Sequence, residues 1–243
     1  MKYPLCFAFA VLLFVPSNSH AGFFDELREF ISPLEQQDST ENNTIVQGLK
    51  EALATGTERA VTEVAKPDGY FGNQLIKILL PDKIRQVADV LGKVGYQHQV
   101  DEFVLSMNRA AEKAAPKAAS FFGDAIREMT VEDAKGILSG GDTAATEFFE
   151  KKTRPKLFTA FKPTITQSMD QVGTARAYKQ MIGTLETIPL AALAGTPSLD
   201  LDTYVTNKAL DGLFKKVGEE EKKIRANPAA RTSDLLRKVF GGT

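Results

Sequence analysis

The sequence predicts an all-α protein, a bundle of about eight to ten helices with no sheet. Apolar residues recur at helical spacing through most of the chain, and strand-like alternation is nearly absent. Helix starts and stops punctuate the pattern, with Thr130 and Asp133 typical of an N-terminal cap and Gly95 typical of a helix end. No segment repeats at a fixed period, so a solenoid is not predicted.

The first residues are typical of a secretory signal. Lys2 precedes a short apolar run, and Ser19 and Ala21 are small residues at the positions that a signal peptidase prefers. The run is shorter than the roughly 20 residues that a membrane span needs. We therefore predict a signal peptide at 1–21, cleaved after Ala21, and export to the periplasm.

Two further regions follow the signal. Residues 22–43 include the polar run EQQDSTENN and are predicted to form a flexible arm. Thr44 and Gln47 have the spacing of a capping box, so they are expected to open a single helical domain over 44–243. A domain of that length can bury a core of its own.

The helices of the first half are delimited by breakers. The first is expected to run from Thr44 to Pro67, followed by a glycine-containing turn at 66–73. The second covers 81–94 and starts with a proline, and Pro116 separates the third from the fourth. The residues of the second helix expected to face inward are Ile84, Val87, Ala88, Leu91 and Val94.

In the second half, the run SGGD at 139–142 is interpreted as a corner between two helices, with Asp142 capping the second. Pro155 and Pro163 are expected to break or bend the chain that follows. Further helices are predicted at 170–185, at the long segment that ends before Asn227-Pro228, and at 233–240.

Composition excludes several kinds of chemistry. Cys6 and His20 leave with the signal, so the mature chain has no Cys and only His98. Thiol catalysis, zinc–sulfur sites and His-rich metal sites are therefore excluded, and we predict no metal and no cofactor. The formal net charge of −1 lacks the basic excess of a nucleic-acid-binding protein.

One carboxylate is placed unusually. In the segment LDGLFKKVGEEEKKIR, Glu221 projects into the apolar stripe that holds Leu210 and Phe214. A buried charge needs a partner, and Arg225, one turn on, or Arg231, just past the helix, is expected to supply it. We favour a structural ion pair, and the alternative is a ligand anchor or general acid/base in a cleft.

The segment MNRAAE offers a second polar group. Asn108 falls at the edge of an apolar stripe, and Arg109 is expected to pair with Glu112 on the polar side of the same helix. Tight helix packing with a surface ion pair is the favoured interpretation. The alternative is that Asn108 and Arg109 share a polar pocket with Glu221.

Two exposed features remain as candidate interaction sites. Tyr70 and Phe71 lie on the turn GYFGN, where they either cover the core as a lid or rim a binding site. The most basic stretch follows 150 and is either a solvated face or a contact for anionic headgroups or an acidic surface. Its candidate basic residues are Lys151, Lys152, Arg154 and Lys156.

Four stretches together resemble the domain of unknown function 4197 family of secreted bacterial helical proteins. They are GYFGNQLIKILLP (69–81), MNRAAEKAAPKA (107–118), ILSGGDTAATEFF (137–149) and ALDGLFKKVGEEEKKIRANPAARTSDLLRKVFG (209–241). The resemblance spans roughly 45–242. It implies a Gram-negative source, a periplasmic or exported location and an all-α fold, and it carries no established activity.

Three functional hypotheses follow. We favour a non-catalytic binding or interaction protein of the cell envelope, which recognises another envelope protein through the turn aromatics and the basic stretch. The second hypothesis is a helical carrier of a small apolar or amphipathic ligand, anchored by Glu221 and an arginine. The third is a metal-independent hydrolase or lyase that uses carboxylates. No catalytic residue and no transmembrane span are predicted.

Overall fold

The computed structural model describes residues 41–171 and 200–226, and this part of the chain is all-helical: 84% of it is helix and none of it is strand. Its helices are α1 (Glu41–Ala65), α2 (Asp82–Leu91), α3 (Gln97–Ala114), α4 (Ala118–Arg127), α5 (Val131–Ser139), α6 (Ala144–Gln171) and α7 (Leu201–Ala226). No helix in the described ranges is long and apolar enough to cross a membrane.

The prediction of eight to ten helices is wrong, because the described part forms five continuous helical runs. A π-helical turn at Gly92–Tyr96 joins α2 to α3, and a 3₁₀ turn at Ala115–Lys117 joins α3 to α4. Gly95, expected to end a helix, instead forms a kink with φ of 99°. Pro116 lies in the first turn of the 3₁₀ segment, where a missing N–H removes no hydrogen bond.

The expected break at Pro155 and Pro163 is also wrong, since α6 continues through both prolines. Both are exposed, as are Lys151 and Thr159, whose carbonyls lie four residues before them and lose their helical donors. Water can hydrate those carbonyls, which offsets part of the cost of a proline inside a helix.

Several predicted elements lie outside the described residues. These are the signal peptide, most of the arm, the region 172–199 with its expected helix, and the last helix at 233–240. The helix α1 begins at Glu41, three residues before the expected cap at Thr44. Val94, expected to face inward, is 55% exposed because it lies at the kink rather than on the apolar face of α2.

The core forms where α7 packs against α1 and α6, with α3 packed against α6. An aromatic cluster occupies part of it: Phe122 of α4 meets Phe149 of α6 edge-on at 5.2 Å and Phe214 of α7 at 6.0 Å. The alanines at the end of α3 and the start of α4 are also buried. Because their side chains are small, neighbouring helices can approach closely there.

One irregular segment crosses this bundle between α1 and α2. It makes a turn at Lys66–Asn73 and a second turn in which the N–H of Lys77 donates to the carbonyl of Asn73 at 2.8 Å, and then continues to Pro81 without regular structure. We call residues 74–81 the extended segment. Side chains alternate along it: Ile76, Ile78 and Leu80 are buried, whereas Leu75 and Leu79 are 66% and 51% exposed. The segment thus presents an apolar face to the core and a second apolar face to solvent.

Candidate functional site

Glu221 lies at the junction of three helices. Glu221 is 7% exposed. Its Oε1 accepts hydrogen bonds from the backbone N–H of Ala145 at 2.9 Å and from Arg225 Nη2 at 2.9 Å. Its Oε2 accepts from the backbone N–H and the hydroxyl of Thr146, each at 2.8 Å. The carboxylate therefore caps the N-terminus of α6 from another helix, where the helix dipole favours a negative charge.

Arg225 extends the same junction to α5. Its Nη2 donates to the backbone carbonyl of Ile137 at 2.8 Å, in the last turn of α5. The Glu221–Arg225 pair thus neutralises the start of α6 and the end of α5 on the two sides of the SGGD corner. Asp142, expected to cap α6, is exposed, and it is Glu221 that meets the N–H groups of α6. Arg231, the other expected partner, lies outside the described residues.

Glu112 of α3 is a second buried carboxylate, 4% exposed. Its Oε1 accepts from the backbone N–H groups of Tyr70 at 3.1 Å and Phe71 at 3.2 Å, and its Oε2 accepts from Arg109 at 2.6 Å. Arg109 also donates to Asp68 at 2.7 Å. Arg109 thus pairs with Glu112 as expected, but the pair does not lie on an open surface, because the turn at 66–73 covers Glu112.

Asn108 fastens the extended segment to α3. The residue is fully buried; its Oδ1 accepts from the N–H of Ile78 at 2.8 Å, and its Nδ2 donates to the carbonyl of Ile78 at 2.9 Å. The amide side chain thus pairs with both the N–H and the carbonyl of one residue, as a residue of a neighbouring strand would. Asn108 and Arg109 therefore serve the 66–81 segment, and neither contacts Glu221.

The two turn aromatics have different surroundings. Tyr70 is fully buried, its hydroxyl donates to the carbonyl of Ala209 at 2.7 Å, and burial raises its pKa well above the usual range. Tyr70 thus belongs to the core, beneath Gly212 of α7. Phe71 is half-buried, and Lys77 Nζ lies 3.9 Å from its ring centre.

The basic stretch on α6 is split between two sides of the helix. Arg154 is half-buried and pairs with Glu150 at 2.8 Å and with Asp211 of α7 at 2.6 Å. Lys151, Lys152 and Lys156 are exposed. At about 100° per residue, Lys152 and Lys156 project from the side of α6 opposite Arg154.

A surface groove of about 300 Å³ separates the extended segment from α7, and we call it the α7 groove. Its lining residues are Leu75, Ile76, Lys77, Ile78, Leu79, Arg85, Tyr204, Lys208, Asp211, Gly212 and Lys215. On α7 the polar members recur at spacings of four, three and four residues, so they share one helix face.

The charge of the α7 groove is strongly one-sided. Four cations line it with a single acid, Asp211, which already pairs with Arg154 at 2.6 Å and Lys208 at 3.7 Å. Arg85 pairs with Asp82, beside the groove, at 3.1 Å. Within residues 41–171 and 200–226, neither Lys77 nor Lys215 forms an ion pair. The groove therefore carries a net positive charge beside two exposed leucines.

Sequence reasoning missed this groove. In LIKILL, at 75–80, the run is apolar at every position but one, so the alternation of buried and exposed side chains is hidden. Lys208 and Lys215 lie on α7 without any motif that marks them as part of a site. Among the described residues, no cluster of three or more His, Cys, Asp or Glu is arranged to hold a metal ion.

This fold and these contacts define a class: an all-helical protein whose buried acids cap neighbouring elements and whose exposed site is a basic, leucine-flanked groove. Residues 39–241 match the model of the family described as protein of unknown function DUF4197, and the chain belongs to that family. No curated protein matches the chain. No solved structure matches it either.

Proposed function

We propose that the chain is an exported, non-catalytic binding protein of the cell envelope and that it binds through the α7 groove. The observation that carries this proposal is the pairing of two leucines, 66% and 51% exposed, with four cations around one concave surface. Exposed apolar groups with a rim of one charge are typical of interaction sites.

Export is supported by the N-terminal pattern of Lys2, an apolar run and the small residues before Gly22. The same pattern gives the periplasm as the proposed location. The source proposed on this basis, and on the family resemblance, is a Gram-negative bacterium.

A binding role is favoured over catalysis because the buried acids are already engaged. Glu221 would have to leave the N-terminus of α6 and Arg225 before it could transfer a proton. Glu112 would have to release the backbone of the 66–73 turn. The ligand carrier anchored at Glu221 and a hydrolase or lyase that uses Glu221 both lose the group on which they depended.

The proposed surface also differs from the one expected from sequence. Tyr70 belongs to the core, and Arg154 is held by Glu150 and Asp211. The groove instead joins Lys77, whose Nζ lies over the ring of Phe71, to the exposed face of α7. An envelope partner would therefore meet the 75–79 segment and α7 rather than the basic stretch of α6.

Site-specific photo-crosslinking in cells tests this function. A photoreactive amino acid replaces Leu79 in the groove, or Lys135, an exposed residue of α5, as the matched control. We expect envelope components to be crosslinked at position 79 and not at 135. Equal products at both positions, or none at position 79, would overturn the proposed binding surface.

A further inference from the structure

We propose that the α7 groove and the segment carrying Leu75 and Leu79 bind the surface of an anionic phospholipid membrane. This inference rests on the proposed function and names the partner of its surface. The acyl region of the bilayer receives the two leucines, and the phosphate headgroups meet the cations of the groove.

The extended segment exposes both apolar and basic side chains. Leu75, Lys77 and Leu79 all line the α7 groove, and the residues between them, Ile76 and Ile78, are buried. Their order places one cation between two apolar side chains. That pattern suits the boundary between headgroups and acyl chains, where apolar groups enter and a lysine reaches back to phosphate.

Hydrogen bonds from three side chains hold this segment in place. Asn108 holds both peptide groups of Ile78, and the hydroxyl of Tyr204 donates to the carbonyl of Leu79 at 2.9 Å. Arg85 donates to the carbonyl of Leu80 at 3.1 Å. The two leucines are therefore held outward by the fold, and their exposure does not depend on a flexible loop.

Basic side chains of α7 lie across the groove from the two leucines. Lys208 and Lys215 lie two turns apart on α7, so the cationic face follows the groove for roughly 10 Å. Lys215 Nζ lies 3.5 Å from the carbonyl of Leu75, which places a cation directly beside one leucine. Lys77 and Lys215 form no ion pair within residues 41–171 and 200–226, and they leave the groove a net positive charge that favours a surface with several negative charges.

The backbone carbonyls of the extended segment favour a membrane over a bound peptide as the partner of this surface. The carbonyls of Leu75 and Leu79 on the groove side already accept from Lys215 and Tyr204. An added peptide strand would need those carbonyls for its own hydrogen bonds. Strand addition is therefore obstructed, whereas phosphate oxygens accept hydrogen bonds and need only the cations.

The size of the α7 groove favours a bilayer over a single carried lipid. A volume of about 300 Å³ is at the small end of ligand pockets and accommodates a headgroup rather than whole acyl chains. The leucines point away from the core, so the acyl chains that they contact remain in the bilayer.

The test uses the purified mature chain, from Gly22 to Thr243, with vesicles of phosphatidylcholine alone or with phosphatidylglycerol. We expect cosedimentation with phosphatidylglycerol vesicles only, and weaker binding in 1 M salt, where the Debye length falls to about 3 Å. The variant K208Q/K215Q should bind roughly 30-fold more weakly. The matched control K152Q/K156Q removes the same charge from the far side of α6 and should bind as the unaltered chain does.

Insertion of the leucines is measured separately. The chain has no Trp, so Leu79→Trp introduces a single fluorophore at the proposed depth. Its emission should shift to shorter wavelength with phosphatidylglycerol vesicles and be quenched by brominated acyl chains. Lys135→Trp on α5 should show neither effect. Both positions are exposed, and thermal unfolding of each variant confirms that it is folded.

Each remaining outcome contradicts the inference in a distinct way. Equal losses in K208Q/K215Q and K152Q/K156Q would mean that overall charge, and not the groove, governs binding. Equally tight binding of a soluble short-chain phosphatidylglycerol would indicate a lipid carrier. No vesicle binding, together with protein crosslinks at position 79 in cells, would overturn the membrane inference and retain the proposed function. Absence of both would overturn the two together.

Discussion

Glu221 on α7 accepts hydrogen bonds from both the backbone N–H and the hydroxyl of Thr146, each at 2.8 Å. Thr146 lies in the first turn of α6, so one helix supplies the cap of another. Arg225 completes the junction by donating to Ile137 of α5. The corner between α5 and α6 is thereby fixed to α7, whose other face lines the groove.

Glu221→Gln should lower the free energy of unfolding by about 3–5 kcal/mol. The substitution directs an amide NH₂ at the N–H groups of α6 and leaves Arg225 without its carboxylate. Chemical denaturation followed by circular dichroism measures the loss. Glu150→Gln is the matched control, because Glu150 and its partner Arg154 have side chains 44% and 29% exposed, and its loss should cost about 1 kcal/mol or less. Equal losses would contradict the capping role.

The burial of Glu221 and the reach of Arg225 were predictable because both follow from the period of one helix. Thr146 was not predictable as a partner, since it lies 75 residues away and only the packing of α6 on α7 brings it close. Helical periodicity reports which face is apolar. It does not report which helix end meets that face.

Glu112 and Asn108 show a second limit of sequence reasoning. Both lie off the apolar stripe of α3 and were expected at its edge or on its polar side. They are buried because an irregular segment, and not another helix, covers that side. The turn GYFGN was recognisable from its glycines, but where it packs depends on contacts distant in sequence.

Asn108→Leu should destabilise the chain by roughly 2–4 kcal/mol, because the N–H and carbonyl of Ile78 lose their buried partners. The amide of Ile78 should also exchange with solvent faster than in the unaltered chain, as the extended segment opens. Chemical denaturation measures the loss of stability, and hydrogen exchange read by mass spectrometry measures the faster exchange of residues 74–81. Gln97→Leu is the control on the same helix: Gln97 is exposed and bonds only with Asp101 in its described contacts, so little change is expected.

Gly212→Ala should destabilise the chain by about 1–3 kcal/mol, the usual cost of overpacking a core. A Cβ at Gly212 would lie 2.7 Å from Cε1 of Tyr70 and 3.1 Å from Cβ of Ile76. Tyr70 cannot easily move away, because its hydroxyl bonds to Ala209. Thermal unfolding measures the effect.

Gly136→Ala provides the opposite expectation for the same chemical change. Gly136 lies within α5, is exposed, and has open space around an added Cβ. Alanine there should raise stability by about 0.5–1 kcal/mol, since glycine is the poorer helix former. Similar destabilisation by both substitutions would show that contact with Tyr70 is not the cause.

Asp200 makes stability at the start of α7 dependent on pH. Its carboxylate accepts from the hydroxyl of Thr203 at 2.7 Å and from the backbone N–H of Thr203 at 3.0 Å. These hydrogen bonds, with Lys162 at 3.2 Å, lower its pKa to about 2. The unfolded chain has the ordinary value of about 3.9. The folded state therefore binds this proton less readily, and its advantage is present above about pH 4 and lost as the pH falls towards 2.

Asp200→Ala should lower the free energy of unfolding by about 1 kcal/mol at pH 7, the typical cost of a lost N-cap. The difference from the unaltered chain should narrow between pH 4 and pH 2, because protonation of Asp200 then removes from the unaltered chain the charge that the variant already lacks. Urea denaturation at several pH values measures this, with Asp89→Ala, an exposed carboxylate within α2, as the control. A difference that stays constant down to pH 2 would contradict the charged cap. Because Tyr204 lies one turn beyond Asp200 and bonds to Leu79, fraying of this turn at low pH should also loosen the groove's outer edge.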